Sequence, residues 1–187
     1  MSRILVLTGS PSSRSRTSAL ALHVADDLAL EGHDVEVLHL RGLPAQALLH
    51  ADTTDPAIAA AVRAVIAADA VVVATPIYKA SLSGLLKVFL DLLPQAALGG
   101  KVVLPLATGG TVAHLLAIDY GLRPVLSSLG ARHVVAGRFV LDTHIDHLTG
   151  GPVVVDEGSR ECVARTVAGF RDALRLVDDD ARALATA

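Results

Sequence analysis

The sequence predicts an α/β domain in which helices cover both faces of a parallel β-sheet. Short, largely apolar runs alternate five times with longer amphipathic stretches along the 187 residues. Such alternation is typical of parallel strands joined by right-handed helical crossovers. The chain is 52% hydrophobic but only 3% aromatic, so its apolar content comes from small and aliphatic side chains. It can therefore bury a sizeable core, and a disordered chain is excluded.

Five largely apolar runs are predicted to be strands. Residues 4–8 and 70–74 are continuously apolar, which indicates burial on both faces of the sheet, whereas residues 35–40 alternate in part. The predicted strands span residues 4–8, 35–40, 70–74, 101–107 and 133–141. Five strand–helix units in fewer than 190 residues fit the flavodoxin-like doubly wound order 2-1-3-4-5 better than a six-stranded dinucleotide domain. We therefore expect a single flavodoxin-like domain over residues 1–177, followed by a polar C-terminal tail over residues 178–187.

Amphipathic periodicity predicts the helices between and after these strands. They are expected over residues 17–31, 56–67, 83–93, 111–129 and 161–176. Asp55 is a predicted N-cap, with Pro56 at the first helical position. Residues 45–54 and 142–159 are expected to be irregular.

Charge and cysteine content exclude several classes of protein. The formal net charge of −3 provides no basic field that would attract nucleic acid or an anionic membrane. The single cysteine, Cys162, excludes an internal disulfide, a multi-cysteine zinc site and an iron–sulfur cluster on one chain. No signal peptide or membrane-spanning run is apparent, so we expect a soluble, cytoplasmic protein.

The loop after the first predicted strand has the composition of an anion site. Residues 9–18 (GSPSSRSRTS) combine hydroxyl groups and two arginines at the start of a helix. Helix N-termini present free N–H groups that bind phosphate. Because neither a G-x-G-x-x-G nor a P-loop motif is present, a terminal monophosphate is the favoured ligand. The alternative is a solvated turn whose hydroxyl groups only cap the helix.

Two further loops are predicted to lie at the same edge of the sheet. After the third strand, Pro76 fixes a bend and Tyr78 can place its ring beside a planar ligand. After the fourth strand, Gly109 and Gly110 allow close approach of the backbone to a ligand edge. Each signal alone is weak, because Tyr78 could pack on the protein and a Gly-Gly pair is also an ordinary turn.

Together, these three loops match the shape of flavin mononucleotide (FMN), and the sequence resembles the NADPH-dependent FMN reductase family. Within it, the sequence is most similar to the reductases that serve alkanesulfonate monooxygenases. Two long blocks carry the resemblance beside residues 9–18: residues 74–94 (ATPIYKASLSGLLKVFLDLLP) and residues 100–131 (GKVVLPLATGGTVAHLLAIDYGLRPVLSSLGA).

The resemblance implies that a nicotinamide cofactor, NADPH or alternatively NADH, reduces FMN to FMNH2, which then passes to a partner flavin-dependent monooxygenase. It also implies a homo-oligomer, either a dimer or a tetramer. No catalytic side chain is expected, since the flavin carries the redox chemistry. The implied flavin-binding residues are Ser10, Ser15, Arg16 and Thr17 at the phosphate, Pro76, Ile77, Tyr78 and Lys79 along the flavin, and Thr108, Gly109, Gly110 and Thr111 at the ring edge.

Tyr120 is implied to form a π-bulge at a subunit interface. The alternative is an ordinary helix kinked by Gly121 and Pro124. No metal site is expected, because His144, Asp146 and His147 lie in a polar loop where such side chains are usually solvated. Two other functions remain open: a reductase that retains FMN and acts on a quinone, azo compound or metal oxyanion, and a non-enzymatic flavodoxin-like electron carrier.

Overall fold

A parallel sheet forms the centre of the molecule, as shown by a computed structural model that describes residues 1–147 and 153–185. The strands are β1 (Arg3–Thr8), β2 (Asp34–His39), β3 (Ala70–Tyr78), β4 (Ser81–Leu82), β5 (Val102–Gly109), β6 (His133–Val134), β7 (Arg138–Leu141), β8 (Ile145–His147) and β9 (Val153–Val155). The sheet runs in the order β2-β1-β3-β5, and both β6 and β7 continue it beyond β5. This arrangement confirms the predicted doubly wound order.

The predicted fifth strand, residues 133–141, is divided into β6 and β7. Between them, Gly137 lies so close to β5 that an added Cβ would be 2.8 Å from the Pro105 carbonyl oxygen. Pro105 has no N–H to donate to the neighbouring strand, so the ladder is interrupted at this point.

Helices cover both faces of the sheet. The α-helices are α1 (Arg16–Leu30), α2 (Ala45–Leu49), α3 (Pro56–Ala67), α4 (Gly84–Leu90), α5 (Arg123–Ser128) and α6 (Glu157–Ala185). Strand β1 directs Ile4 and Val6 into a core with α1 and α6, while Leu5 and Leu7 pack with α3 and α4 on the opposite face. This alternation is the period-two pattern of a strand buried on both sides.

The predicted helix over residues 111–129 is not continuous. A 3₁₀ turn at Val112–His114 and a π-helix at Ile118–Leu122 precede α5. Because Pro124 lacks an N–H, it cannot donate the ordinary α-helical hydrogen bond to Tyr120, and the wider π turn forms immediately before α5.

Other boundaries differ from the predicted ones near the C-terminus. Helix α6 begins before the expected residue 161, since the Asp156 carboxylate accepts a hydrogen bond from the Ser159 N–H at 3.1 Å. It also continues into the segment expected to be a polar tail. The two stretches expected to be irregular contain α2 and the antiparallel β8–β9 pair. By contrast, α3 has the predicted bounds and the predicted Asp55 cap.

Among the described residues, no helix is long and apolar enough to cross a membrane.

Candidate active site

A cleft opens at the carboxyl ends of β1, β3 and β5, where this class of fold binds ligands. The residues that line it are Ser10, Ser12, Arg14, Ser15, Arg16, Thr17, Pro76, Ile77, Tyr78, Thr108, Gly109 and Asp142. The structure therefore brings together nine of the twelve residues predicted to bind the flavin. Lys79, Gly110 and Thr111 do not line the cleft.

The phosphate loop presents backbone donors at the start of α1. Ser15 is the N-cap, and its Oγ accepts the Ser18 N–H at 3.0 Å. The N–H groups of Arg16 and Thr17 have no partner within the described part of the chain. Ser10 is nearly fully buried, and its Oγ accepts the Ser12 N–H at 3.3 Å. Since the Ser15 and Ser10 hydroxyls accept those bonds, their own hydrogens remain free to be donated.

Arg16 is held by a residue far away in the sequence. Its Nε donates to the Ile145 carbonyl oxygen at 3.1 Å. Five N–H groups project from a guanidinium, so this bond leaves the two terminal nitrogens available to an anion. Arg14 belongs to the same loop and also lines the cleft, and both arginines are exposed. The carboxylate of Asp142 is the acidic group at this end of the cleft.

Thr17 and Thr108 are bonded to each other across the floor of the cleft. Their hydroxyl oxygens are 2.6 Å apart, and both residues are almost completely buried. They were predicted as separate ligands, one for the phosphate and one for the ring edge. The structure makes them a bridge between α1 and β5. One hydroxyl donates to the other, which leaves a single hydrogen for a ligand.

The loop after β3 is a tight hairpin. Lys79 and Ala80 both have positive φ, at 50° and 63°, as in a two-residue type I′ turn between β3 and β4. Tyr78, at its base, is 50% exposed and lines the cleft, whereas Lys79 lies in the turn itself. Non-glycine residues seldom adopt this conformation, so the turn stores backbone strain beside the site.

A buried relay that the sequence analysis missed joins this loop to the phosphate loop. The Ser83 hydroxyl donates to the Gly9 carbonyl oxygen at 2.5 Å and accepts the Leu86 N–H at 3.1 Å. The Ser83 N–H donates to Thr75 Oγ1 at 2.9 Å, and the Thr75 hydroxyl donates to the Pro76 carbonyl at 3.0 Å. The sequence signal for Ser83 was its position as the first residue of a predicted helix, a place where serine is a common N-cap; the structure puts it one residue before the helix, as the N-cap of α4.

The loop after β5 approaches Phe139 closely. A Cβ added at Gly109 would be 3.1 Å from the Phe139 ring, so a residue without a side chain allows this contact. Gly110 is exposed and open to solvent. The Thr111 hydroxyl accepts the Ala113 N–H at 3.3 Å and so caps the 3₁₀ turn that follows.

The π-helical turn expected at Tyr120 is present, and it leaves this side chain 80% exposed. Val112, Leu115 and Leu116 are also more than half exposed, so apolar side chains cluster in the segment after the glycine loop. Arg123 fixes the end of the turn, since it pairs with Asp119 at 3.1 Å.

His39 and His144 are held by contacts with neighbouring side chains. The His39 ring contacts Thr8 Oγ1 at 2.9 Å, and burial together with the charge of Arg41 lowers the pKa of His39. His144 contacts Ser159 and Asp156, while the side chain of His147 lies outside the described residues. Among residues 1–147 and 153–185, no three metal-ligating side chains come together.

These donors fit the phosphate end of FMN. The N–H groups of Arg16 and Thr17 are free, a pre-positioned guanidinium stands beside them, and hydroxyl hydrogens are available from the same loop. Charge-assisted bonds of this kind are the usual means of holding a phosphate.

Comparison with known proteins gives a consistent result. The sequence matches the NADPH-dependent FMN reductase family over residues 2–146. It is 50% identical over 145 residues to the FMN reductase (NADPH) of Escherichia coli strain K12, covering 76% of this chain and 75% of that protein. It is 35% identical over 140 residues to the NADH-dependent FMN reductase SfnE of Pseudomonas putida, covering 73% of this chain and 75% of that protein.

Solved structures agree in fold. An apo NADH:FMN oxidoreductase, EMOB, is similar with a TM-score of 0.80 and 43% identity, over 91% of this chain and 89% of that one. An archaeal flavodoxin shares the fold at a TM-score of 0.63 and 14% identity, over 91% of this chain and 98% of that one.

Proposed function

The chain belongs to the NADPH-dependent FMN reductase family, and from this premise we propose how its cleft is used and where its product goes. The protein is an enzyme that reduces FMN with NAD(P)H. We propose that the phosphate loop anchors the flavin and that FMNH2 leaves for a separate flavin-dependent monooxygenase of the alkanesulfonate type.

The phosphate lies at the start of α1 in this proposal. The N–H groups of Arg16 and Thr17 point toward it, the Arg16 guanidinium neutralises it, and the Ser10 and Ser15 hydroxyls donate their free hydrogens. The partial positive charge of the helix N-terminus adds to the attraction. The observation that carries the proposal is the Arg16 guanidinium, fixed at Ile145 beside unpartnered backbone donors.

The flavin ring is proposed to lie at the mouth of the cleft. The enclosed volume is ≈ 200 Å³, below the range of about 300–1,000 Å³ for pockets that enclose a ligand. The ring would therefore extend over Tyr78 and Gly110, both exposed, with the Gly109–Gly110 backbone at its polar edge. When bound, FMN supplies the ring that accepts hydride. The chain orients it and leaves one face open to the nicotinamide.

The open position proposed for the flavin ring also supports delivery of FMNH2 to a partner protein. A flavin held at its phosphate and exposed at its ring can leave the protein after reduction. SfnE is named as an NADH-dependent FMN reductase, so FMN is the substrate in its name. The similarity of this chain to SfnE therefore supports FMN as a substrate here. The exposed apolar segment with Leu115, Leu116 and Tyr120 supports assembly into a homo-oligomer.

Steady-state oxidation of NADPH and NADH by purified protein, with free FMN and no third substrate, tests the proposal. We expect turnover that depends on FMN, and a protein that loses its flavin on desalting. In Arg16→Ala, loss of a charged hydrogen bond should raise the dissociation constant for FMN about ten- to a hundredfold. Arg63→Ala removes an exposed arginine from α3 and serves as the matched control.

Flavin that stays bound through desalting and turnover would contradict release to a partner and favour the flavin-retaining quinone, azo or metal-oxyanion reductase. Tight flavin binding with no oxidation of either nicotinamide would favour the electron carrier.

A further inference from the structure

A segment near the C-terminus reaches the phosphate loop from outside it. We call residues 142–147 and 153–156 the strap; its two strands, β8 and β9, pair antiparallel with Ile145 opposite Val155. Ile145 is 1% exposed and packs in the same core as Leu20 and Val24 of α1. Its carbonyl oxygen accepts the hydrogen bond from Arg16 Nε at 3.1 Å. The strap therefore sets the position of the guanidinium.

His144 ties the strap to the start of α6. Its ring Nδ1 lies 2.9 Å from Ser159 Oγ and 3.1 Å from Asp156 Oδ2. Its carbonyl oxygen accepts the Asp156 N–H at 2.9 Å. Asp156 in turn caps α6 through the Ser159 N–H. Since Ile145 follows His144 directly, these contacts hold the carbonyl that restrains Arg16.

We propose that His144 is a positioning residue, which sets the affinity of the cleft for the flavin phosphate through Ile145 and Arg16. The inference rests on FMN binding in the cleft. Arg16 is exposed, and a free arginine side chain must lose much rotamer freedom when it binds a ligand. The Ile145 bond removes part of that freedom before binding, which is the usual benefit of preorganisation.

The test is equilibrium binding of two flavins, measured by quenching of flavin fluorescence. In His144→Ala, we expect the dissociation constant for FMN to rise about three- to tenfold. The dissociation constant for riboflavin should not change, because riboflavin lacks the phosphate that Arg16 contacts. His144→Asn, which keeps a polar nitrogen near the Nδ1 position, should recover most of the loss. His133→Ala removes an exposed histidine from β6 and is the control.

A double-mutant cycle separates positioning from a general loss of structure. Adding His144→Ala to Arg16→Ala should produce no further weakening of FMN binding. Ser159→Ala removes the hydroxyl that contacts His144 but keeps the Ser159 N–H that caps α6, so it provides a milder variant with the same direction of effect if His144→Ala folds poorly. Equal weakening for FMN and riboflavin, or an unchanged FMN constant in a folded variant, would overturn the inference. Failure of the unmodified protein to bind either flavin would instead overturn the proposed function, on which the inference rests.

Discussion

Replacing Ser83 with alanine should destabilise the protein and loosen two ligand loops at once. Ser83 is 1% exposed, and its hydroxyl has two backbone partners, the Gly9 carbonyl oxygen at 2.5 Å and the Leu86 N–H at 3.1 Å. The first partner begins the phosphate loop, and the second lies in the first turn of α4. Alanine satisfies neither, and water cannot readily replace the hydroxyl in this buried position.

The magnitude follows from the two lost contacts of Ser83. Loss of an N-cap side chain costs about 1 kcal/mol. A buried carbonyl oxygen left without a donor costs about 1–3 kcal/mol. The free energy of unfolding should therefore fall by about 2–4 kcal/mol, which lowers the Tm of a domain of this size by about 5–15 °C.

Urea unfolding followed by circular dichroism measures this change for Ser83→Ala, and flavin titration measures the effect on the loops. The control is Ser128→Ala. The exposed Ser128 hydroxyl contacts the Val125 carbonyl at 2.7 Å, and its removal should change the free energy of unfolding by less than about 0.5 kcal/mol. We expect FMN affinity to fall together with stability in Ser83→Ala. A loss of stability below about 1 kcal/mol would mean that the hydrogen bonds of Ser83 are not desolvated and do not hold the two loops together.

Three further changes have defined outcomes. Ala80→Gly should raise the free energy of unfolding by about 0.5–1 kcal/mol, since φ at this position is 63°; an unchanged or lower value would show that the turn is not strained. Gly109→Ala should lower the free energy of unfolding by about 1–2 kcal/mol, because the new Cβ would press on the Phe139 ring. Adding Phe139→Leu to this variant should recover part of that loss. Burial and Arg41 lower the pKa of His39 from 6.5, so the unfolded chain binds its proton more readily and stability falls as pH drops below that value. The fall in Tm from pH 7.5 to 5.5 should be shallower in His39→Gln, and an identical slope would contradict this assignment.

Much of the fold could be predicted because the relevant signals are local. Unbroken apolar runs at residues 4–8 and 70–74 identified strands buried on both faces, and Asp55 before Pro56 marked the start of α3. Alternation of strands and helices predicted the parallel sheet, and its order was inferred from five strand–helix units in fewer than 190 residues. The division of the last predicted strand could not be seen, because it depends on Pro105 in β5 lying beside Gly137.

The candidate site was predictable in outline for a similar reason. Loops after parallel strands meet at one edge of the sheet, so residues 9–18 and the later loops could be brought together without coordinates. The bonds that organise them span 74 residues for Ser83 and Gly9, 91 for Thr17 and Thr108, and 129 for Arg16 and Ile145. Sequence patterns locate loops, but hydroxyl and carbonyl partners at such separations depend on the three-dimensional packing.

A structure of the protein in complex with FMN would show where the flavin phosphate binds. We expect phosphate oxygens within about 3 Å of the Arg16 and Thr17 N–H groups and of the Arg16 guanidinium, with Arg16 Nε still bonded to the Ile145 carbonyl. The isoalloxazine ring should lie over Tyr78 and the Gly109–Gly110 backbone. A phosphate bound elsewhere, or an Arg16 side chain turned away from it, would show that the start of α1 is not the phosphate site.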